Sequence, residues 1–504
     1  MSAPIVETAG GKVEGKRTPE GDVLLFRGIP YAAPPTGTGR FRPPRPAEPW
    51  TGVRDATRFG PAAPQVPGVM EQLYGSEMQT DEDCLTLNIW TPAADGGRRP
   101  VMVWIHGGAF LTGSGSIPWY DGRRFSRSSD AVVVTINYRL GALGFLHLAD
   151  LGGEAFASSG NVGLLDQVAA LTWVRDNIAA FGGDPGNVTV FGESAGAFSI
   201  GTLLGLPAAH GLFGRAILQS GASSNVSDRE HATGLAERLL GQLGLAANAG
   251  GIAELVRVPF PKLLEAQDAV VNETFTNHRL PFQPVVDGTA LPRPPLDAIG
   301  DGSAAEVTVL CGTNLEEIRL FTLLDTELAS GGEDVLVTRA TAAFGRDASA
   351  VISAYRDGRA GESTLEVFVA VSSDLVFRIP AIRLLERQSA VNPDCYSYLF
   401  TMRSTSFGGA LGASHVMEIP FVFDNLDRPG VALFTGDPPG APQLASRMHR
   451  AWGAFARSGD PNHGDLPAWP RYQIEQRATM EFGPTCQVLD DPMGEERLLW
   501  EGRL

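Results

Sequence analysis

Two kinds of apolar spacing alternate along the first half of the chain. Val101 to Ile105 and Ala131 to Ile136 are near-continuous apolar and β-branched runs, the pattern of strands buried on both faces of a parallel sheet. Residues 161–180 instead return Leu164, Leu165, Val168, Leu171, Trp173 and Val174 at close to helical spacing, and Phe181-Gly-Gly-Asp-Pro supplies a stop. Val188 to Phe191 reads as the next strand, Ala195 to about Leu206 as a small-residue helix, and Ala216 to Gln219 as a further strand. Val307 onward reads as a strand that closes in a turn carrying Glu316 and Glu317. The alternation predicts an α/β protein with a mostly parallel central sheet flanked by helices. Helical patterns dominate from about 225 to 300 and from 325 to 410, and these stretches are expected to form cap segments beside the sheet. The Pro/Gly-rich stretch from Pro30 to Pro67 carries scattered aromatic and Arg residues, so it reads as an ordered loop packed on the body. No repeat or shift in composition divides the chain, and residues 1–504 are expected to form a single domain.

Composition narrows the partners. A hydrophobic content of 43% with near-zero mean hydropathy describes a globular chain with a large core. Net charge is −17 and basic residues cluster no further than pairs such as Arg98-Arg99, which argues against nucleic acid or an anionic membrane as partner. No run approaches the apolar length of a membrane span, and the first ten residues lack the basic and apolar regions of a signal peptide. A cytoplasmic protein is therefore expected, with no obligate protein partner evident. Cys84, Cys311, Cys395 and Cys486 are sparse, with no CxxC pair. They suit a reducing compartment and predict neither a disulfide framework nor a zinc site.

The strongest chemical signal is Gly192-Glu193-Ser194-Ala195-Gly196 directly after the strand run. A strand ending in G-x-S-x-G describes a tight strand-to-helix turn that presents a serine hydroxyl as nucleophile. The small residues flanking it let neighbouring backbone approach closely. Serine needs a base to take its proton and an acid to orient that base, and in α/β-hydrolases the acid and then the histidine follow the serine along the chain. Six histidines follow: His210, His231, His278, His415, His449 and His463. His415 sits in a small-residue loop before an apolar stretch, the placement that suits an imidazole projecting into a site. Either Glu316 or Glu317 ends a strand where an open α/β sheet keeps its site. The turn His106-Gly107-Gly108-Ala109 follows a buried strand as the oxyanion loop of esterases does. No HExxH, Walker A or complete G-x-G-x-x-G is present, so no metal or organic cofactor is expected.

Ordered blocks extend these motifs along nearly the whole chain. Phe26-Arg-Gly-Ile-Pro-Tyr-Ala-Ala-Pro-Pro, Glu82-Asp-Cys-Leu-Thr-Leu-Asn, Asn137-Tyr-Arg-Leu-Gly, Gly160-Asn-Val-Gly-Leu-Leu-Asp-Gln, Gln219-Ser-Gly and Phe455-Ala-Arg-Ser-Gly-Asp-Pro-Asn stand in order with the serine and His-Gly-Gly blocks. Together they resemble the type-B carboxylesterase/cholinesterase family, in particular its bacterial para-nitrobenzyl-esterase-like members. The resemblance implies an α/β-hydrolase fold with a small N-terminal antiparallel sheet and helical cap segments. It implies Ser194 as nucleophile, His415 as base and Glu317 as acid. Gly108, Ala109 and Ala195 would be oxyanion donors with Gly107 supporting the loop, and Ser220 would help hold the acid. Arg40 with Glu82, and Arg139 with Asp166, match the family's structural ion pairs.

Secreted members of that family pair the cysteine matching Cys84 with an earlier one, and Ala63 occupies the earlier place here. The loop between them carries no tryptophan, so the aromatic cation site of cholinesterases is not expected, with Tyr74 the weaker face that remains. Pocket walls are expected from Phe110, Leu111, Trp119, Phe321, Phe377 and Phe407. The implied reaction is hydrolysis of uncharged small to medium carboxylic esters through an acyl-enzyme, with water as acyl acceptor. Two alternatives stand beside it: carbamates or activated amides cleaved by the same triad, and a non-catalytic cholinesterase-like binding protein.

Overall fold

The computed structural model describes residues 3–68, 78–274, 280–323, 325–345 and 348–503. Tyr74 and His278 lie outside the described residues. An 11-stranded sheet runs through the centre. In chain order its strands are β1 (Lys16–Arg17), β2 (Leu24–Pro30), β3 (Thr86–Thr91), β4 (Arg99–Ile105), β5 (Val132–Ile136), β6 (Gly183–Glu193), β7 (Arg215–Gln219), β8 (Thr308–Asn314), β9 (Cys395–Phe400), β10 (Thr479–Phe482) and β11 (Gln487–Leu489). Across the sheet they lie β1-β2-β3-β5-β4-β6-β7-β8-β9-β10-β11. From β5 to β10 every neighbouring pair is parallel, while β1 to β3 and β11 add antiparallel edges. Near the N-terminus Ile5–Thr8 pairs antiparallel with Gly11–Glu14, and Val53–Asp55 adds a third, parallel strand. This is the expected α/β-hydrolase architecture.

The alternation of side chains explains why the central strands read as unbroken apolar runs. Along β4, Val101, Val103 and Ile105 enter the core on one face and Met102 and Trp104 the core on the other. Along β5, Val132, Val134 and Ile136 divide from Val133 in the same way. With a strand's period of two, covering both faces leaves few polar positions, and the buried Thr135 of β5 donates its hydroxyl to Gly115 O. Each large side chain so buried contributes about 1.5–3 kcal/mol.

The helix expected over 161–180 spans Val162–Asn177, continues as a 3-10 turn to Phe181, and stops at Gly182 in the left-handed region (φ 81°). A Cβ there would lie 2.4 Å from Ala93 O, so the backbone itself requires glycine. Asp166 on this helix is fully buried and ion-paired with Arg139 at 2.7 Å. Arg40 and Glu82 form the second expected pair, and Arg40 also donates to Val256 O at 3.1 Å. Breaking either pair would strand a charge in the core. Cys84 is a buried free thiol, and Ala63 is buried as well.

One expectation about the cap needs correction. The described part of 225–300 carries the helices Arg229–Gln242, Ala249–Leu255, Phe260–Thr274 and Pro295–Gly300, together with two short strands. The stretch 325–410 is not all cap, because it contains β9, whose six residues are all buried between β8 and β10. Tyr396 and Tyr398 pack into one face of the core while Cys395 packs into the other.

Candidate active site

Strand order reverses at β4, whose chain successor β5 lies on one side and whose next parallel partner β6 lies on the other. The crevice outside the carboxyl ends of such a pair is where open α/β sheets bind ligands. The His-Gly-Gly turn leaves β4 and the serine turn leaves β6 at this point.

Ser194 holds φ 56° and ψ −124° between the end of β6 and the helix Ala195–Leu203. This left-handed backbone is costly for a non-glycine residue and is over-determined by what surrounds it. Ser194 N donates to Gln219 O at 2.9 Å, and Ser194 O accepts from Phe198 N at 2.8 Å. A Cβ on Gly192 would lie 2.5 Å from Ile105 O, and one on Gly196 only 1.9 Å from the same oxygen. Both glycines of the pentapeptide are there because β4 ends against them.

The His-Gly-Gly loop is equally constrained. Gly108 has φ 109°, and Ala109 and Phe110 have φ 56° and 59°. A Cβ on Gly107 would lie 2.8 Å from Glu193 O and 3.1 Å from Ser194 Cβ, which puts this loop in contact with the serine turn. Leu111 N and Thr112 N turn back to Gly108 O. Among the described residues, the N–H groups of Gly108, Ala109 and Ala195 take no part in such turn bonds. Ala195 opens its helix, so the helix dipole adds positive potential where an oxyanion would sit. Tyr138 stacks on His106 (ring centroids 4.5 Å) and donates to His106 O at 2.8 Å, which braces the loop from behind.

His415 Nδ1 donates to Glu317 Oε2 at 2.7 Å, and Asn314 N donates to Glu317 Oε1 at 2.7 Å. His415 N also donates to Glu317 O at 3.3 Å. The neighbouring Glu316 faces the other way. Its Oε2 accepts from Ala413 N and from Arg403 Nε, both at 2.9 Å, and its Oε1 pairs with Arg319. The two adjacent acids thus make different contacts: Glu317 touches the imidazole, and Glu316 fastens the loop that carries it. On its other edge, His415 Nε2 lies 3.1 Å from Glu193 Oε1. Among the described residues no hydrogen bond joins Ser194 Oγ to the imidazole. Catalytic hydrogen bonds in unliganded enzymes are often loose and tighten around substrate.

The carboxylates around His415 were not all legible in the sequence. Glu193 is the first variable position of the serine pentapeptide, and Glu418 stands three residues past His415. Both are buried, and Glu418 accepts from Gln219 Nε2 at 3.0 Å and Asn314 Nδ2 at 2.6 Å. The one available signal was an acid inside the apolar run Val-Met-Glu-Ile-Pro-Phe-Val. Burial, with Glu418 and Glu317 nearby, pushes the Glu193 carboxyl well above its ordinary value. Burial also raises Glu418, and Glu317 adds to the effect. Burial alone would lower His415, but the Glu193 charge and the Glu317 hydrogen bond outweigh it and raise the imidazole to about 9. The Glu193–His415 pair therefore holds its proton to higher pH than a free imidazole. Because the folded value is raised, the stabilisation is complete below pH 6.5 and is lost as pH rises toward 9. A base at His415 would give kcat/KM a rising limb that reports deprotonation of this imidazole in the free protein. Glu193→Gln is expected to move that limb to lower pH by about one unit or more, and an unmoved limb would contradict the assigned coupling.

The expected pocket residues separate. Phe321 and Phe377 stand 5.4 Å and 4.8 Å from the His415 ring centroid. Phe110 is buried against Phe145 and Leu111 is half-buried, both on the oxyanion loop. Trp119 is fully buried, packs on Phe434 and donates to Pro429 O at 2.9 Å, so it is a core residue. Phe407 is 59% exposed on a turn with φ 51°. Ser220 N donates to Gly312 O at 2.8 Å. Its hydroxyl is buried and, among the described residues, makes no hydrogen bond to Glu317 or any other group.

A family model described as the carboxylesterase family matches residues 2–498. The chain is 40% identical to para-nitrobenzyl esterase of Bacillus subtilis, over 99% of this chain and 98% of that protein. It is 39% identical to phenmedipham hydrolase of Pseudarthrobacter oxydans, over 96% of each. A solved carboxylesterase structure from Geobacillus stearothermophilus superposes with a TM-score of 0.90 at 44% identity, covering 98% of this chain and 99% of that one.

Proposed function

The chain belongs to the carboxylesterase family and is a carboxylic ester hydrolase, and on that premise we propose that Ser194 is its nucleophile, His415 its general base and Glu317 the acid that orients the base. The observation that carries this assignment is the 2.7 Å bond between His415 Nδ1 and Glu317 Oε2 beside the strained Ser194 turn. Glu317 fixes the tautomer of the neutral imidazole, so Nε2 is free of hydrogen once the proton shared with Glu193 has left. As Ser194 Oγ attacks the ester carbonyl, Nε2 takes the hydroxyl proton and the carbonyl oxygen becomes an oxyanion. The N–H groups of Gly108, Ala109 and Ala195 stabilise that charge, with Gly107 holding the turn against Ser194. Collapse breaks the ester C–O bond, and the imidazolium gives its proton to the departing alcohol. Water then loses a proton to Nε2, attacks the acyl-enzyme and releases the carboxylic acid, returning the proton to Ser194. The two buried carboxylates Glu193 and Glu317 stabilise the imidazolium in both steps.

Uncharged esters fit the site best, since three buried carboxylates surround the imidazole and apolar rings of Phe321 and Phe377 lie against it. The whole chain, 1–504, is taken as one domain acting in the cytoplasm of a bacterium, on a small-molecule ester and with no cofactor. Support for this reading comes from the bacterial relatives and from a family match that spans nearly the full length. No helix among the described residues is long and apolar enough to cross a membrane. A second reading rests on phenmedipham hydrolase: carbamates cleaved by the same triad. A p-nitrophenyl series from acetate to octanoate, run beside aryl carbamates, tests both. Esters are expected to turn over at least tenfold faster than carbamates of equal size, and the reverse order would make carbamate cleavage the primary activity.

A further inference from the structure

Gln65 is 5% exposed, and its side-chain amide binds the backbone of one residue from both ends. Oε1 accepts from Gly113 N at 2.8 Å, while Nε2 donates to Gly113 O and to Ala63 O, each at 2.9 Å. Both amide hydrogens are thereby used, and the oxygen has its partner. Gly113 closes the loop that begins at His106. It holds φ 109°, and a Cβ there would lie 2.4 Å from His106 Nδ1 and 2.6 Å from Gly107 O. His106 Nδ1 is itself 2.8 Å from Gly107 O. A second amide joins the same two segments, with Asn137 Oδ1 accepting from Gly115 N at 2.8 Å and Nδ2 donating to Pro61 O at 2.9 Å. With Ala63 buried and Cys84 a free thiol, no covalent bond ties the 61–65 segment to its surroundings.

We propose that Gln65 is a positioning residue for the oxyanion hole. The inference rests on the reading of Gly108 and Ala109 as oxyanion donors. The loop from His106 to Gly113 is fixed at one end by β4 and at the other by the Gln65 clamp. Gly113 lies in contact with the His106–Gly107 turn, so any shift of Gly113 passes directly into the residues that face Ser194. A displacement of about 1 Å at such donors costs about 100-fold in rate. The turn bonds of Leu111 N and Thr112 N to Gly108 O stop short of Gly113, so they set neither its position nor its orientation. The paired bonds to one residue's N–H and C=O fix both.

The test compares wild type, Gln65→Met and Ser194→Ala for p-nitrophenyl acetate hydrolysis and for inhibition by an alkyl trifluoromethyl ketone. The ketone forms an oxyanion adduct and reports the hole directly. Gln65→Met keeps length and volume but removes all three hydrogen bonds. It is expected to lower kcat by about 10- to 100-fold and weaken ketone inhibition by the same factor, with KM within about twofold of wild type. Wild-type kcat and ketone affinity in a folded Gln65→Met protein would overturn the proposal. So would an equal weakening of KM and ketone inhibition, since that pattern marks a loosened pocket. If Gln65→Met does not fold, Gln65→Glu takes its place under the same criteria, because it keeps the acceptor for Gly113 N. The two failures are distinguishable: an active Ser194→Ala enzyme removes the underlying reading of the site, whereas an inactive one beside an unimpaired Gln65 variant removes only this inference.

Discussion

Ser194→Ala is expected to lower kcat for p-nitrophenyl acetate by about 100,000- to 1,000,000-fold while leaving the protein folded. The size follows from the way a triad works as a unit. Without Oγ there is no acyl-enzyme, so the base and the acid that orients it have no nucleophile to activate. What remains is the oxyanion hole acting on water, about 1,000-fold or more above the uncatalysed rate. The fold should tolerate the change, because alanine keeps the Cβ and the same left-handed backbone is already held by Gln219 O and Phe198 N. The hydroxyl contributes no hydrogen bond to the core among the described residues. Steady-state turnover and labelling by a fluorophosphonate probe should vanish together. Turnover above about 1% of wild type, which exceeds what the hole alone supplies, would place the nucleophile elsewhere.

How much of this was legible in the sequence depended on whether a residue's neighbours were local. The serine turn and the His-Gly-Gly turn were legible because each follows a strand whose apolar run is continuous, and the run is continuous because both sheet faces are covered. Glu317 and His415 stand 98 positions apart, so nothing in their spacing joins them. The resemblance named them, and the structure brings them together. β9 was lost inside a stretch read as cap, since Cys-Tyr-Ser-Tyr-Leu-Phe mixes polar atoms into a buried strand. Its Ser397 Oγ is satisfied by Thr479 Oγ1 at 3.1 Å on the next strand, a partner no local pattern reveals. Trp119 shows the limit of reading pocket walls from large apolar residues. A tryptophan near the His-Gly-Gly loop in sequence proves to be core, packed on Phe434 from 315 residues away in the chain. Glu193 stands inside the pentapeptide, yet only the fold shows that its carboxylate turns toward His415.

Glu317→Gln is expected to lower kcat by about 10,000-fold, whereas Glu316→Gln should change it by less than about tenfold. Glu317 uses its two oxygens on two different donors, Asn314 N and His415 Nδ1. Glutamine offers only one oxygen. If that oxygen stays on Asn314 N, the amide NH2 faces Nδ1 and favours the tautomer with hydrogen on Nε2, which cannot accept the Ser194 proton. If it turns to His415, a buried N–H on Asn314 loses its acceptor, at about 1–3 kcal/mol. The first arrangement destroys the base and the second destabilises the loop that holds it. In either arrangement the negative charge that stabilises the imidazolium is gone. Glu316 supplies no atom to the imidazole. Its replacement weakens the ties to Ala413 N, Arg403 and Arg319, and Arg403 is 65% exposed. Solvent therefore screens part of that loss, which should amount to about 1 kcal/mol or less and appear in thermal unfolding more than in turnover. Measured side by side, the two conservative changes separate an acid that orients the base from one that anchors its loop. A crippled Glu316→Gln beside an unaffected Glu317→Gln would reverse the assignment.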